Sequence, residues 1–558
     1  MISEGQGYGL LAAAAALTAL PNFAPSRPAA IERAYQLFLG WRAMCVATSP
    51  RRRRADDVIA AVEALPPATS CQEVAFLCSW ALADDATTSA GATASSALSR
   101  CLPSWKFDPS VSREVGTGSA PDGDEDALLG MILLLLATRD DAPQPPWWLA
   151  LHGWTYQSAL SFLHHSTSAH PTRKASNGAP LRVLKLGSCW GGFDCTNPSY
   201  LAPAHYRAFR DFMAAADRDE RLPLPTLGGS GAAAADSQGA GALRTAEDIR
   251  MAWDSLIEAS YAVLHDAACP ATGLVPNWFV PSQGDLPDDA VTRATTQWPG
   301  WTPGTATCSG SGTPAAEFGA EASRTVWRVA LDALWHSTPE AVSFCNTIAS
   351  HLISKLRARN ASTTAREHAD EEELDAPPSC HGRVESVHRR WSHLGFMLGP
   401  MAPALMVPLP AGHSHAREQQ PALDIAAALL AAMDVDEYYS GSWVALATLT
   451  LDGPLAGLAP LLATMDDADE LAAAAAAGGM KRLFGAVAIV AIACLLWRWR
   501  GAARGGARSA GVELERLPLS EEEWTIHYDR SGRPYWSDGR GHTTWNRPAA
   551  RPSTSSEE

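Results

Sequence analysis

Through the first 460 or so residues, long alanine- and leucine-rich segments alternate with Gly/Pro turns, and strand-like alternation is scarce. This constrains the fold more than any other feature. Apolar residues in segments 76–83, 128–137, 249–266, 325–334 and 425–433 recur at helical spacing, as in helices packed on both sides. The predicted class is all-α, with one large domain over 1–460, because a ring of helices, like an α/β barrel, exceeds the usual domain length without splitting. Segments 86–99, 166–180, 228–241, 361–378 and 411–420 are rich in Ala, Gly, Ser, Thr or charge and read as solvated insertions.

The balance of charge excludes one class of partner. With a formal net charge of −16 the chain is repelled by phosphate backbones, so no nucleic-acid partner is expected. The four arginines at 51–54 read as a hydrated loop between two helices. Eleven cysteines are scattered without a Cys-x-x-Cys pair, which argues against structural zinc. Disulfides form if the domain folds in an oxidising lumen, but their pairing is not legible. One glycosylation sequon begins at Asn360, and the second match, at Asn197, is excluded by Pro198.

Chemistry enters with six short blocks. Ser3-Glu4-Gly5-Gln6-Gly7-Tyr8-Gly9 puts a carboxylate on a glycine-lined turn leading into an alanine-rich helix. Leu102-Pro103-Ser104-Trp105-Lys106-Phe107-Asp108 is followed by Gly118-Ser119-Ala120-Pro121-Asp122-Gly123-Asp124-Glu125. Trp190-Gly191-Gly192 leads to Asn197-Pro198-Ser199-Tyr200, and Gly273-Leu274-Val275-Pro276-Asn277-Trp278 comes next. Glu321-Ala322-Ser323-Arg324-Thr325-Val326-Trp327-Arg328 and Tyr438-Tyr439-Ser440-Gly441-Ser442-Trp443 complete the series. In this order, the blocks resemble those of glycoside hydrolase family 8.

The resemblance implies a six-hairpin (α/α) toroid that cleaves internal β-1,4 linkages of a glucan-type polysaccharide with inversion. It implies Glu4 as the proton donor and Glu321 as the base, in a position where the family has aspartate. Glu317, one turn earlier, is a second candidate for the base. Asp122 is implied to grip the sugar and to set the field at Glu4, Tyr200 to stand near the attacking water, and Arg324 to join the catalytic group. Trp105, Trp190 and Trp278 are candidates for stacking on pyranose rings. An inverting enzyme holds its two carboxyl groups roughly 6.5 to 9.5 Å apart, so residues 4 and 321 must meet across one groove where the ring closes. The plain alternative for Glu321 and Arg324 is a surface ion pair at i, i+3. No cofactor and no metal are implied, since carboxylates and water suffice.

The C-terminal hundred residues change character. Residues 461–482 form an Ala/Gly-rich linker, and 483–497 are an uninterrupted apolar run flanked by Lys481, Arg482, Arg498 and Arg500. A transmembrane segment is expected over 483–499. Its fifteen apolar residues cover about 22 Å of a core roughly 30 Å thick, with flanking basic and Trp side chains supplying the rest. More arginines follow the run than precede it, so the tail is placed in the cytoplasm and the large domain outside or in a lumen. Met1 stands three residues before Glu4, so the chain as given carries no signal peptide, and a later-than-true start is expected.

After a basic linker over 500–515, the segment 516–550 holds Trp524, Tyr528, Gly532, Tyr535, Trp536, Thr543, Thr544, Trp545 and Pro548. It resembles a WW domain, a small three-stranded β module that binds proline-rich ligands in polyproline form. The resemblance makes Trp524 and Pro548 structural and gives the ligand groove to Trp536 and Trp545, with Thr543 beside them. Residues 551–558 read as a disordered tail. The expected whole is a single-pass membrane glycosidase; its partners are a β-linked polysaccharide, a proline-rich protein and the membrane. The alternative is a catalytically inactive sugar-binding or scaffold protein acting through its WW domain, because the added methylene of Glu321 displaces a carboxylate on which rate depends about a hundredfold per ångström.

Overall fold

The computed structural model describes residues 2–47, 101–108, 114–116, 118–218 apart from 142, 189–190 and 194, then 243, 245–279, 318–363, 398–465 apart from 434 and 436–437, and three short strands within 525–544. The expected features at 51–54, 76–83, 86–99, 228–241, 483–499 and 500–515 lie outside the described residues, as do Trp190, Glu317 and Trp545. Two compact units divide the chain, residues 1–495 and 496–558.

Among the described residues the first unit is mostly helical. Its long helices are α1 (Ser3–Thr18), α2 (Arg27–Ala47), α3 (Pro121–Thr138), α4 (Trp148–His165), α5 (Pro203–Arg218), α6 (Ala246–Ala267), α7 (Ala320–His336), α8 (Pro339–Thr363), α9 (Gln419–Ala432) and α10 (Tyr438–Leu451). Every expected helix that falls on described residues is present. Helix α3 shows why its apolar spacing gave no single face: apart from Ala137, every residue from Pro121 to Thr138 is buried, as in a helix covered on all sides.

Local chemistry sets the helix starts. Helix α3 opens with Pro121 in its first turn and with Asp122 and Asp124 against the positive end of the dipole. Helix α6 opens with a capping box in which Thr245 accepts the Asp248 N–H at 3.0 Å and Asp248 accepts the Thr245 N–H at 2.9 Å. Helix α1 has no side-chain cap and is held instead by tertiary contact. It lies along α3, against α2, and against α10 near the far end of the unit.

The contact between α1 and α3 is made by backbone. A Cβ on Gly123 would stand 2.7 Å from the Glu4 nitrogen, and one on Gly130 would stand 2.8 Å from the Leu11 nitrogen. A Cβ on Gly7 would meet the Gly123 carbonyl oxygen at 2.5 Å. Only glycines permit this approach, and it sets Glu4 beside Asp122. Tyr8 then packs edge-on against Trp443 of α10, with ring centroids 5.2 Å apart.

Two expectations for this unit need correction. Glu4 lies within the first turn of α1, not on a turn ahead of it, because glycines at 5, 7 and 9 are helical where they contact neighbouring backbone or side chains. The segment 166–180 is not a solvated insertion; it forms most of an antiparallel hairpin of β3 (Thr167–Lys174) with β4 (Pro180–Leu184). Ser166, Thr167, His170, Ala175 and Ala179 are buried. Its turn contains Asn177-Gly178, with Gly178 at φ 86° and Asn177 Oδ1 accepting the Ala179 N–H at 3.0 Å, a strong short-range hairpin signal. A second antiparallel pair, β1 (Lys106–Phe107) with β2 (Glu114–Gly116), carries Trp105 at its edge.

Cys101, Cys195 and Cys269 are disulfide-bonded, and Cys45 and Cys345 are free and buried. Among the described residues no single helix is long and apolar enough to cross a membrane. One pair bent by 53°, Tyr438–Leu451 with Ala456–Ala463, passes on length and composition; within it Trp443, Leu446 and Ala447 are fully buried in the core.

The second unit contains a three-stranded antiparallel sheet, β5 (Thr525–Tyr528), β6 (Pro534–Ser537) and β7 (Thr543–Thr544), in that order. Its register pairs Trp536 with Ile526 and Thr544, and Ser537 with Thr543.

Candidate active site

The site is built around one guanidinium. Arg324 lies one helical turn after Glu321 on α7 and is buried, its side chain 2% exposed. Its Nη1 donates to Glu4 Oε1, and to Asp122 Oδ2 at 2.8 Å. Its Nη2 donates to Glu321 Oε2, and to Ser199 Oγ at 3.0 Å. Three carboxylates from α1, α3 and α7 therefore meet on a single side chain. The i, i+3 ion pair considered for Glu321 and Arg324 is present but part-buried, its arginine enclosed because Arg324 also has to satisfy Glu4 and Asp122. Two closest oxygens held at the two ends of one guanidinium stand no more than about 8 Å apart.

Each carboxylate has its own company. Glu4, its side chain 14% exposed, accepts the Tyr8 hydroxyl on Oε1 at 2.6 Å and the Tyr438 hydroxyl on Oε2 at 3.4 Å. Asp122 accepts the Gly123 N–H on Oδ1 at 2.8 Å. Glu321 is the most open, at 27%, and accepts the Asn197 amide on Oε2 at 3.2 Å. Tyr200 lies with its ring 5.4 Å from the Arg324 guanidinium carbon and is nearly buried.

Burial is the largest influence on Glu4 and pushes its carboxyl up to about 7; Arg324 opposes the rise, Asp122 adds to it, Tyr8 opposes it, and Glu321 adds a little more. Burial also raises Tyr200 well above the usual phenol, reinforced by the charges of Asp122 and Glu321. At neutral pH the site thus holds a carboxyl poised to give a proton.

A second arginine braces the first group from beneath. Arg328, a turn further along α7, donates to Glu125 Oε2, to Asp126 Oδ2 at 2.8 Å and to the Asp122 carbonyl at 3.2 Å. Tyr206 donates to Glu125 Oε1 at 2.7 Å, and His205 Nε2 lies 3.1 Å from Asp126 Oδ1. All five side chains are buried, and burial raises Glu125 and lowers His205.

Of the aromatic candidates, Trp105 fits a platform. It is 40% exposed, its carbonyl accepts the Ser3 N–H at 2.9 Å, and its ring covers Gly116, where a Cβ would collide. Trp278 does not fit: it is 5% exposed and belongs to the hydrophobic core, where its large apolar area is worth more than on a surface. The structure thus brings Glu4, Asp122, Tyr200, Glu321 and Arg324 together and sets Trp278 apart. Tyr8 and Asn197 were missed as site residues, though Tyr8 stands four residues after Glu4, on the same helical face.

Among the described residues no group of three or more His, Cys, Asp or Glu is disposed to hold a metal ion. A comparison with protein-family models finds no match. The chain is 26% identical over 254 residues to Endoglucanase 2 of Ruminiclostridium josui and, over the same length, to Endoglucanase C of Ruminiclostridium cellulolyticum. These matches cover 44% of this chain and 38% of each relative, so the chain spans well under half the length of the curated relatives it matches. Among solved structures, the apo β-1,3-1,4-glucanase from Paenibacillus sp. X4 aligns with 81% of this chain and 82% of its own, at a TM-score of 0.44 and 14% identity. A reducing-end-xylose releasing exo-oligoxylanase complexed with xylose gives 0.42 and 15%, with 82% of each chain covered.

Proposed function

We propose that the first unit is a glycoside hydrolase of the family 8 kind, a toroid of helices that cleaves internal β-1,4 linkages of a glucan-type polysaccharide with inversion. The observation that carries this reading is the convergence of Glu4, Asp122 and Glu321 on Arg324, with Glu4 raised to about 7. The likeness to curated endoglucanases supports the substrate class.

In this reading Glu4 gives its proton to the glycosidic oxygen as the bond to the anomeric carbon breaks. Glu321 takes a proton from a water that attacks the same carbon from the opposite face, and the two carboxyl groups end in exchanged protonation states. Asp122 holds a sugar hydroxyl and keeps Glu4 protonated by its charge. Tyr200 lines the approach of water, Arg324 holds the carboxylates in register, and Trp105 offers its open indole face to a pyranose ring. Trp190 is a further stacking candidate by its sequence block.

The second unit acts as a proline-motif-binding module in this reading, with Trp536 and Trp545 forming the ligand groove and Thr543 beside them. The apolar run at 483–499 anchors the chain in a membrane, with the C-terminus cytoplasmic and the large unit lumenal or extracellular. The disulfide-bonded cysteines suit an oxidising compartment for that unit.

A second reading is favoured by one observation: Arg324 holds both Glu4 and Glu321 in ion pairs, which restrains the two groups that must act. In that reading the groove binds sugar without cutting it. Release of reducing ends from carboxymethylcellulose, lichenan, xylan or chitosan by the full chain, compared with Glu4→Gln, separates the two. Equal background from both proteins, with binding to the polymer retained, would leave only the second reading standing.

A further inference from the structure

Glu321 enters the site on the first turn of a helix whose own N-cap, Gly319, offers no side chain. Two asparagines from outside the helix fix that turn. Asn277 Oδ1 accepts the Ala322 N–H at 3.0 Å, a cap supplied from a distant segment. Asn197 uses both ends of its amide: Oδ1 accepts the Ser199 N–H at 2.9 Å, and Nδ2 donates to Glu321 Oε2 at 3.2 Å. Both asparagines are fully buried.

Their segments are tied by an isolated antiparallel bridge, Thr196 to Phe279. The Thr196 N–H donates to the Phe279 carbonyl at 2.8 Å, and the Phe279 N–H returns to the Thr196 carbonyl at 2.9 Å. One bridge thus delivers one amide to the backbone of α7 and another to the carboxylate one residue earlier. Asparagine suits position 197 because it presents a donor and an acceptor together. Aspartate there would keep the acceptor but set a second negative charge against Glu321. Serine can keep the local cap and is too short to reach the carboxylate.

We propose that Asn197 is a positioning residue for Glu321, its amide holding Oε2 while the bridge to the Asn277 segment locks the helical turn that carries it. The proposal deepens the hydrolase reading and rests on Glu321 as its base. It explains how a side chain one methylene longer than aspartate is kept in one orientation. Among the described residues, the charged and titratable groups around Glu321 are Arg324 from its own helix, Glu4 from α1, Asp122 from α3 across the same guanidinium, Tyr200 from the turn after Asn197, and Tyr439 from α10.

The test is a carboxylate titration by infrared spectroscopy on the full chain labelled with 13C at glutamate Cδ, with Glu321→Gln to identify the Glu321 band. Asn197→Asp is expected to move that titration up by about one pH unit or more, and Asn197→Ser by less, in the same direction. The acid limb of the kcat/KM profile on lichenan should move with it while KM stays nearly unchanged. An unmoved Glu321 band in folded Asn197→Asp overturns the proposal. If that variant does not fold, an unmoved band in Asn197→Ser does so. A wild-type chain that hydrolyses nothing defeats the hydrolase reading, while the band titration still decides the contact.

Discussion

Arg324 and Arg328 stand one turn apart on α7, and each reaches an aspartate of α3, Asp122 or Asp126, at the same distance of 2.8 Å. The two pairs differ in their company. Around Arg328 the carboxylates of Glu125 and Asp126 are wholly enclosed, each with a further partner in Tyr206 or His205. Around Arg324 three carboxylates share one cation, and Glu321 and Glu4 remain open to solvent in part. The deeper cluster is a fastener between α3, α5 and α7. The shallower one sets more carboxylates than cations in a part-open site, and that charge adds to the burial that raises Glu4 to about 7. The same pairing chemistry serves structure where it is wholly enclosed and leaves carboxyl groups accessible where it is part-open to solvent.

Substitutions can break this contrast. Glu4→Gln should lower the hydrolysis rate by about a hundredfold to ten-thousandfold and, below about pH 4.5, leave the unfolding midpoint close to wild type, read by reducing-end release and urea titration. Arg328→Met should do the reverse first: it strands Glu125 and Asp126 without their cation and should cost about 3 to 5 kcal/mol of stability, seen in chemical unfolding before any assay of rate. If Arg328→Met unfolds like wild type, the division between fastener and reactive site fails.

Gly123→Ala tests the joint between the two clusters, since a Cβ there would press on the Glu4 backbone. Overpacking of this kind should cost about 1 to 3 kcal/mol, with activity falling further than stability alone explains. The same substitution shows where the sequence was legible. The helices were readable because alanine and leucine recur at their spacing, and Glu4, Asp122, Tyr200, Glu321 and Arg324 because they sit in recognisable blocks. The glycine contact was not, because nothing in a sequence says which backbone a bare Cα will touch. Arg328 lay in a quoted block without a role, since its partners Glu125 and Asp126 are 203 and 202 residues away. The hairpin at 167–184 was hidden by its polar strands, although Asn177-Gly178 marked its turn. Trp278 was misjudged because an indole that stacks on sugar and one that fills a core look alike in sequence.

A further expected effect concerns pH. Glu4 holds its proton to about 7 when folded, against about 4.3 for an unperturbed glutamate. Between those values the folded chain keeps a proton that the unfolded chain has lost. Its contribution to stability is therefore full below the lower value and is lost as pH rises through the upper one. Glu4→Gln should flatten that fall in unfolding midpoint between pH 4.5 and 7. Tyr8→Phe removes a donor that favours the ionised form and should shift the alkaline limb of hydrolysis upward by roughly half a unit to one unit. A downward shift would mean that Tyr8 supports the protonated acid instead.

The embrace of α1 by later helices has a consequence in time. Glu4 and Arg324 are 320 residues apart, and at 5 to 20 residues per second a ribosome needs roughly half a minute between them. Until then the Glu4 carboxyl lacks its cation, and α1 must wait beside an unfinished chain. Any hydrolytic competence therefore arrives late in synthesis, in a single closing event.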